Sequence, residues 1–278
     1  MKLLVTGAAG MLGHRVVDEA RAAGHEAVGA DLAEFDLTDP EATRRFVAGA
    51  APDAIVNCAA WTDVDGAEAK EDLALAVNGD GAGNVARAAA EVGARIVQVS
   101  TDYVFDGNKA TPWVESDPTG PEGAYGRTKL AGEQQVAAAC PEHAIVRTAW
   151  LFGVRGPNFV DTMLRLAGER DELSVVDDQV GCPTWAGHLA PALVDMAERR
   201  GDTGIFHGAG AGHCSWYEFA LAIFDRAGAD VRVLPTTSEA FQRPAPRPAW
   251  SVMGTERAPG VRLPPWQEGL EGHLKERP

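Results

Sequence analysis

Through its first half the chain alternates short, almost wholly apolar runs with stretches whose apolar residues recur at helical spacing. The apolar runs predict strands at Leu3–Thr6, Glu26–Ala30, Ala54–Asn57, Arg95–Ser100 and Ala144–Thr148. The periodic stretches predict helices over Met11–Ala23, Pro40–Ala48, Leu73–Val92 and Tyr125–Ala139, with Asp39 placed to cap the second. Strands that are apolar on both faces belong to a parallel sheet covered by helices on either side. The expected fold class is therefore α/β, a doubly wound parallel sheet.

After Trp150 the rhythm changes. Asn158–Arg170 is amphipathic, Leu173–Val176 reads as a short strand, and Ala186–Arg199 and Trp216–Ala227 read as helices. A proline-rich stretch, Pro235 to Pro248, precedes a last short helix at Trp266–Leu274. The expectation is a first domain over residues 1–150 and a smaller cap over 151–278, with some segments returning to the first sheet.

Composition narrows the function. The chain has 278 residues, 45% of them hydrophobic and 23% charged, ordinary values for a globular enzyme. Its net charge of −15 argues against a nucleic-acid surface, which needs clustered Lys and Arg. An anionic substrate would have to be held by a few local cations and backbone N–H groups. The four cysteines, Cys58, Cys140, Cys182 and Cys214, lie far apart in no metal-binding or disulfide pattern. The apolar start is too short for a signal peptide, and no run is long enough to span a bilayer. A cytoplasmic protein with no membrane partner is expected.

Two motifs carry chemistry. Gly7, Gly10 and Gly13 give G-x-x-G-x-x-G between the first strand and first helix, where close backbone approach and a helix N-terminus suit a pyrophosphate. Asp31, at the end of the second strand, can bond the adenosine ribose and would repel a 2′-phosphate, favouring NAD over NADP. A tight structural turn and a solvated aspartate are the plain alternatives. Tyr125 and Lys129 lie four residues apart, on one helix face. There the ammonium is expected to lower the phenol's pKa and fit it for proton transfer to a reduced carbonyl. Thr101 ends a parallel strand, the edge where ligands settle; its alternative is a capping hydroxyl. Together these residues point to an oxidoreductase moving hydride between a nicotinamide and a carbonyl.

With these motifs in place, the chain resembles the extended short-chain dehydrogenase/reductase family, and longer stretches resemble its dTDP-4-dehydrorhamnose reductase branch. These are Val56–Asp65, Ser100–Gly107, Tyr125–Glu133, Arg147–Trp150, Asn158-Phe159, Met163–Ala167, Val176–Thr184, Ser215–Ala220 and Arg247-Pro248, so the likeness runs nearly end to end. The resemblance implies a Rossmann-type doubly wound sheet with a smaller C-terminal substrate-binding cap. It implies reduction, with NADPH or NADH, of the 4-keto group of dTDP-4-dehydro-6-deoxy-L-mannose to dTDP-L-rhamnose. By position it makes Thr101, Tyr125 and Lys129 catalytic, the last two also touching the cofactor. Gly7, Gly10, Met11 and Leu12 would hold the pyrophosphate, and Asp31, Asp36 and Leu37 the adenosine. Ala59, Ala60 and Trp61 would lie toward the ribose or nicotinamide, while Thr101, Asp102 and Trp150 would touch the sugar.

Trp150 could equally be core packing. Arg247 either forks onto a substrate diphosphate or is a solvated loop arginine. Some members of the branch hold Mg²⁺ at a dimer contact through an acid after the glycine turn; His14 and Arg15 stand there instead, so no metal is expected. A homodimer is compatible with the resemblance. Two rival functions stand beside the first: a 4-ketoreductase for another dTDP-deoxysugar, and a non-catalytic regulatory subunit of the same fold. The intact Thr101, Tyr125 and Lys129 count against the second, since a binding module needs none of that chemistry.

Overall fold

The computed structural model describes residues 1–277. Its first half holds β1 (Lys2–Thr6), α1 (Gly13–Ala22), β2 (Glu26–Ala30), α2 (Pro40–Ala50), β3 (Ala54–Asn57), α3 (Val64–Ala69), α4 (Glu71–Leu75), α5 (Ala82–Glu91), β4 (Arg95–Thr101), α6 (Ala124–Ala139) and β5 (His143–Thr148). The second half adds β6 (Leu151–Phe152), α7 (Phe159–Ala167), β7 (Glu172–Val176), β8 (Val180–Gly181), β9 (Thr184–Trp185), α8 (Ala186–Glu198), β10 (Gly204–His207), β11 (Cys214–Ser215), α9 (Trp216–Ala227), β12 (Arg232–Thr236) and α10 (Trp266–Glu276).

Six parallel strands form the central sheet in the order β10-β5-β4-β3-β1-β2. Both faces are dry. Leu3, Val5, Val56, Val97 and Val146 pack with α1 and α8 on one side, while Leu4, Ile55, Ile96 and Ile145 pack with α2, α5 and α6 on the other. Successive strand residues point to opposite faces, so two covered faces require uninterrupted apolar runs. Asp39 caps α2 as expected, accepting from the N–H groups of Glu41 and Ala42.

The stretch expected as one helix, Leu73–Val92, is instead α4, a π-helical turn at Ala76–Gly81, and α5. The widened turn presents Asn78, a buried polar side chain that bonds outside its own helix. Such turns recur at functional sites.

The second half is more than a cap. It returns α8 to one face of the sheet and β10 to its edge, pairing Ile205 with Ile145. The remainder builds a separate apolar core around Phe152, Val160, Leu173, Phe219, Trp266 and Leu270, with β7 and β12 paired in parallel. Among the described residues, no helix is long and apolar enough to cross a membrane.

Candidate functional site

The predicted residues gather at the carboxyl ends of the central strands. Between β1 and α1 the chain turns through Gly7, which has a positive φ of 66°. A Cβ there would stand 2.7 Å from the Ala59 nitrogen, so only glycine lets the turn lie against the segment after β3. A Cβ on Gly10 would meet only the Gly7 carbonyl, at 3.2 Å, and otherwise open space. The turn thus leaves room before a helix N-terminus that no side chain caps, a fit for a dinucleotide's pyrophosphate. Leu12 is buried in the core beneath it, and Met11 packs on Gly153 and Gly156 of the cap.

Asp31 braces this turn. Its carboxylate accepts from Ala9 N at 3.0 Å and from Leu32 N at 2.9 Å, while its own N–H donates to Glu34 at 2.8 Å. A cleft of about 310 Å³ is lined by Ala8, Ala9, Asp31, Glu34 and Arg155 among others. Asp36 and Leu37 do not line it. Asp36 is exposed and bonded to Thr38, whose hydroxyl and N–H hold its carboxyl below the usual range. The Leu37 carbonyl accepts from Asn84 at 2.9 Å. Glu34 was not singled out from sequence; its position just past the strand was the only signal.

Ala59, Ala60 and Trp61 follow β3. Asn78 fixes this segment, accepting from Trp61 N at 2.8 Å and donating to Trp61 O at 3.1 Å, and it lies 3.1 Å from Thr128 Oγ1 on α6. The π-helical turn therefore ties the Trp61 segment to the helix of Tyr125 and Lys129. Nothing in the periodicity announced this.

Thr101, Tyr125 and Lys129 come together. Thr101 ends β4, where its hydroxyl donates to Asp102 at 3.0 Å and accepts from Tyr103 N at 3.2 Å. Tyr125 lies in the first turn of α6, edge-on to Tyr103 with ring centroids 5.6 Å apart. A side chain on neighbouring Gly126 would strike the Tyr103 carbonyl, so the glycine permits this close approach. Lys129 Nζ donates to Val99 O at 2.7 Å, two residues before Thr101.

The electrostatics correct one expectation. Lys129 was expected to lower the Tyr125 pKa. Instead burial, and then the nearby Asp102 charge, push the phenol up to about 12, with the neighbouring Thr101 hydroxyl acting against them. Burial likewise drives Lys129 down to about 8, opposed by Glu133 and Cys58. Desolvation penalises the charged form of each group, and the ammonium spends its bond on a carbonyl. Burial also lifts the Asp102 carboxyl to about 6, against the hydrogen bond from Thr101.

Trp150 has a positive φ of 46°, a strained conformation for a bulky residue, and stacks on Trp216 with centroids 3.5 Å apart. Arg247 is no solvated loop arginine. It pairs with Asp65 at 3.1 Å, donates to Ala245 O at 3.1 Å and lies over the Tyr103 ring at 5.9 Å. Asp65 went unnoticed because nothing local in the sequence links it to a residue so distant. His14 bonds the Gly10 carbonyl and Arg15 pairs with Glu276. Among the described residues, no group of three or more His, Cys, Asp or Glu side chains is placed to hold a metal ion. A cavity of about 680 Å³ beside α6 is lined by Leu130, Glu133, Ile145, Arg147, Ile205 and Arg257 among others, and by none of the predicted site residues.

Comparison with known proteins extends this geometry. The family model described as "RmlD substrate binding domain" matches residues 1–277. The chain is 45% identical over 276 residues to the dTDP-4-dehydrorhamnose reductase of Mycolicibacterium smegmatis, covering 97% of this chain and 84% of that one. It is 46% identical over 253 residues to the dTDP-4-keto-6-deoxy-D-glucose reductase of Streptomyces niveus, covering 90% of this chain and 88% of that one. The crystal structure of dTDP-4-dehydrorhamnose reductase from Bacillus anthracis in complex with NADP superposes with a TM-score of 0.94 at 39% identity, covering 99% of both chains.

Proposed function

The chain belongs to the RmlD substrate binding domain family, and on that premise we propose that it reduces the 4-keto group of dTDP-4-dehydro-6-deoxy-L-mannose, giving dTDP-L-rhamnose, with NADPH or NADH. The observation that carries the reading is the convergence of Thr101, Tyr125 and Lys129 at one strand edge beside the glycine turn, in a chain 45% identical to such a reductase.

The reduced nicotinamide supplies hydride to the ketone carbon. Tyr125 gives its phenolic proton to the developing alkoxide, which requires that it start neutral, as its raised pKa ensures. Thr101 orients the carbonyl through its hydroxyl. Lys129 stabilises the phenolate left after transfer and holds the nicotinamide ribose. Gly7, Gly10 and the start of α1 hold the pyrophosphate, and Asp31 takes the adenosine ribose, a placement that favours the cofactor without a 2′-phosphate. The nucleotide-sugar enters between sheet and cap, where Asp102 and Trp150 meet the sugar. Arg247 turns from Asp65 toward the diphosphate.

The likeness to the Streptomyces niveus protein favours a second reading, a 4-ketoreductase for another dTDP-deoxysugar. Incubation with each candidate dTDP-ketosugar and NADH or NADPH, followed by NMR of the product, separates the two. Absence of cofactor oxidation with every ketosugar, together with stable co-purification of a partner enzyme, would instead favour a regulatory subunit. The four cysteines, all free thiols, suit a cytoplasmic setting. Light scattering would test the expected homodimer.

A further inference from the structure

Contact with cofactor or substrate leaves the residues beneath the lysine unexplained. Glu133 follows Lys129 and Tyr125 at successive four-residue steps along α6, so all three stand on one helix face. It is 3% exposed. One carboxylate oxygen accepts from Ser100 Oγ at 2.6 Å and Arg147 Nε at 2.9 Å, and the other accepts from Arg147 Nη2 at 2.7 Å. Ser100 precedes Thr101 on β4, and Arg147 is its register partner on β5. A guanidinium fork and a hydroxyl thus fix one carboxylate across three elements of the site. Apolar side chains of similar volume would hold those elements together at least as well, so the use of this pair is to be sought in its charge.

Lys129 is itself 5% exposed, with one bond to a backbone carbonyl. The charged and titratable groups acting on it are Glu133, four residues on along its own helix, and Cys58 beyond β3. Tyr125 stands four residues before it on α6, Asp102 after β4 acts on Tyr125, and Arg147 on β5 pairs with Glu133. Of these, Glu133 does most to oppose the loss of the ammonium's charge. We propose that Glu133 is a positioning residue for the reduction: clamped by Arg147 and Ser100, its carboxylate supplies the buried counter-charge that keeps Lys129 an ammonium beside Tyr125. The inference rests on the reading of Tyr125 and Lys129 given above.

The test is the pH dependence of kcat for ketosugar reduction, alongside that of NADH affinity by fluorescence titration. The principal variant is the double substitution Glu133→Gln with Arg147→Met, because Glu133→Gln alone would strand a buried guanidinium. Loss of the counter-charge should move the basic limb of both profiles to lower pH. The shift should be less than the roughly one unit that a single charge one helical turn away would give, because the more distant Arg147 cation leaves with it. Ser100→Ala keeps both charges and should leave the limb in place. A folded double variant with the wild-type limb overturns the proposal. If the double variant does not fold, Glu133→Asp decides: retracting the carboxylate should shift the limb the same way by less, and an unmoved limb refutes the idea. A wild type that reduces no ketosugar would sink the underlying reading, whereas a wild-type limb indifferent to Glu133 sinks this inference alone.

Discussion

Removing one oxygen atom tests the proposed chemistry most directly. Tyr125→Phe keeps the ring, which packs with Trp61 against Ala67, Ala74 and Ala124 and meets Tyr103 edge-on. Only the phenolic O–H beside Thr101 is lost, a change of at most one hydrogen bond. A single such bond is worth about 1 kcal/mol, so the variant should fold and melt close to wild type. A positioned general acid contributes about 10²–10⁴-fold to rate, so kcat should fall by that factor, about 3–5 kcal/mol of barrier. Because the phenol stands at about 12, it is loaded with its proton throughout the neutral range. The wild-type basic limb should therefore follow Lys129, near 8. The assay pairs NADH absorbance decay at saturating ketosugar with fluorescence titration of NADH. The cofactor Kd should change less than about threefold, since the lost group acts on the transition state. A Phe variant with kcat within about threefold of wild type would refute the proton-donor role. A loss of kcat matched by an equal loss of NADH affinity would make the phenol a binding group instead.

Three further perturbations follow from the same geometry. Asp102 has its folded-state pKa raised from 3.8 to about 6, so the charged form costs stability above that pH, and the cost disappears as pH falls from about 6 to below 3.8. Asp102→Asn should therefore stabilise the protein at pH 7.5 by up to about 3 kcal/mol and give no gain near pH 3.5; equal melting shifts at both pH values would contradict this. Gly7→Ala places a Cβ 2.7 Å from Ala59 N at a positive φ. It should cost about 2–4 kcal/mol in urea unfolding and weaken NADH binding at least about tenfold. Gly24→Ala, also at positive φ but with nothing within 4 Å, should cost only about 1 kcal/mol and leave NADH affinity intact; comparable losses in the two would rule out the crowding argument. Asp31→Asn retains an acceptor for the Ala9 N–H but removes the charge. The NADPH-to-NADH affinity ratio should rise about five- to tenfold, and an unchanged ratio in titrations of both cofactors would remove Asp31 from cofactor selection.

What the sequence made legible was local. Five strands of the main sheet were read within one or two residues of their observed ends, since burial on both faces leaves uninterrupted apolar runs. The sixth, β10, escaped notice because four residues with a His at one end carry little periodic signal. The π-helical turn was invisible for another reason: its residues keep helical composition, and its cause is the set of bonds from Asn78 to Trp61 and Thr128. The same division holds at the site. Tyr125 and Lys129 declared themselves by four-residue spacing, and Thr101 by its place at a strand end. The partnerships of Asp65 with Arg247, and of Glu133 with Ser100 and Arg147, join residues far apart in the chain that only the folded topology brings together.

Those distant partnerships answer a requirement that the short motif creates. Proton donation needs a neutral phenol at the start, and burial provides it by lifting Tyr125. The step leaves a phenolate, which burial penalises for the same reason, so a cation must remain beside it. Burial also makes the charge on Lys129 easier to lose, lowering its pKa to about 8. One low-dielectric site therefore helps the donor before transfer and works against both members of the pair afterwards. A buried carboxylate one turn from the lysine relieves that conflict without touching the phenol directly, and a guanidinium bolted to the neighbouring strand holds that carboxylate in place. On this argument the functional unit of α6 runs from Tyr125 through Lys129 to Glu133, and its third member could be assigned only once β4 and β5 were seen to close around it.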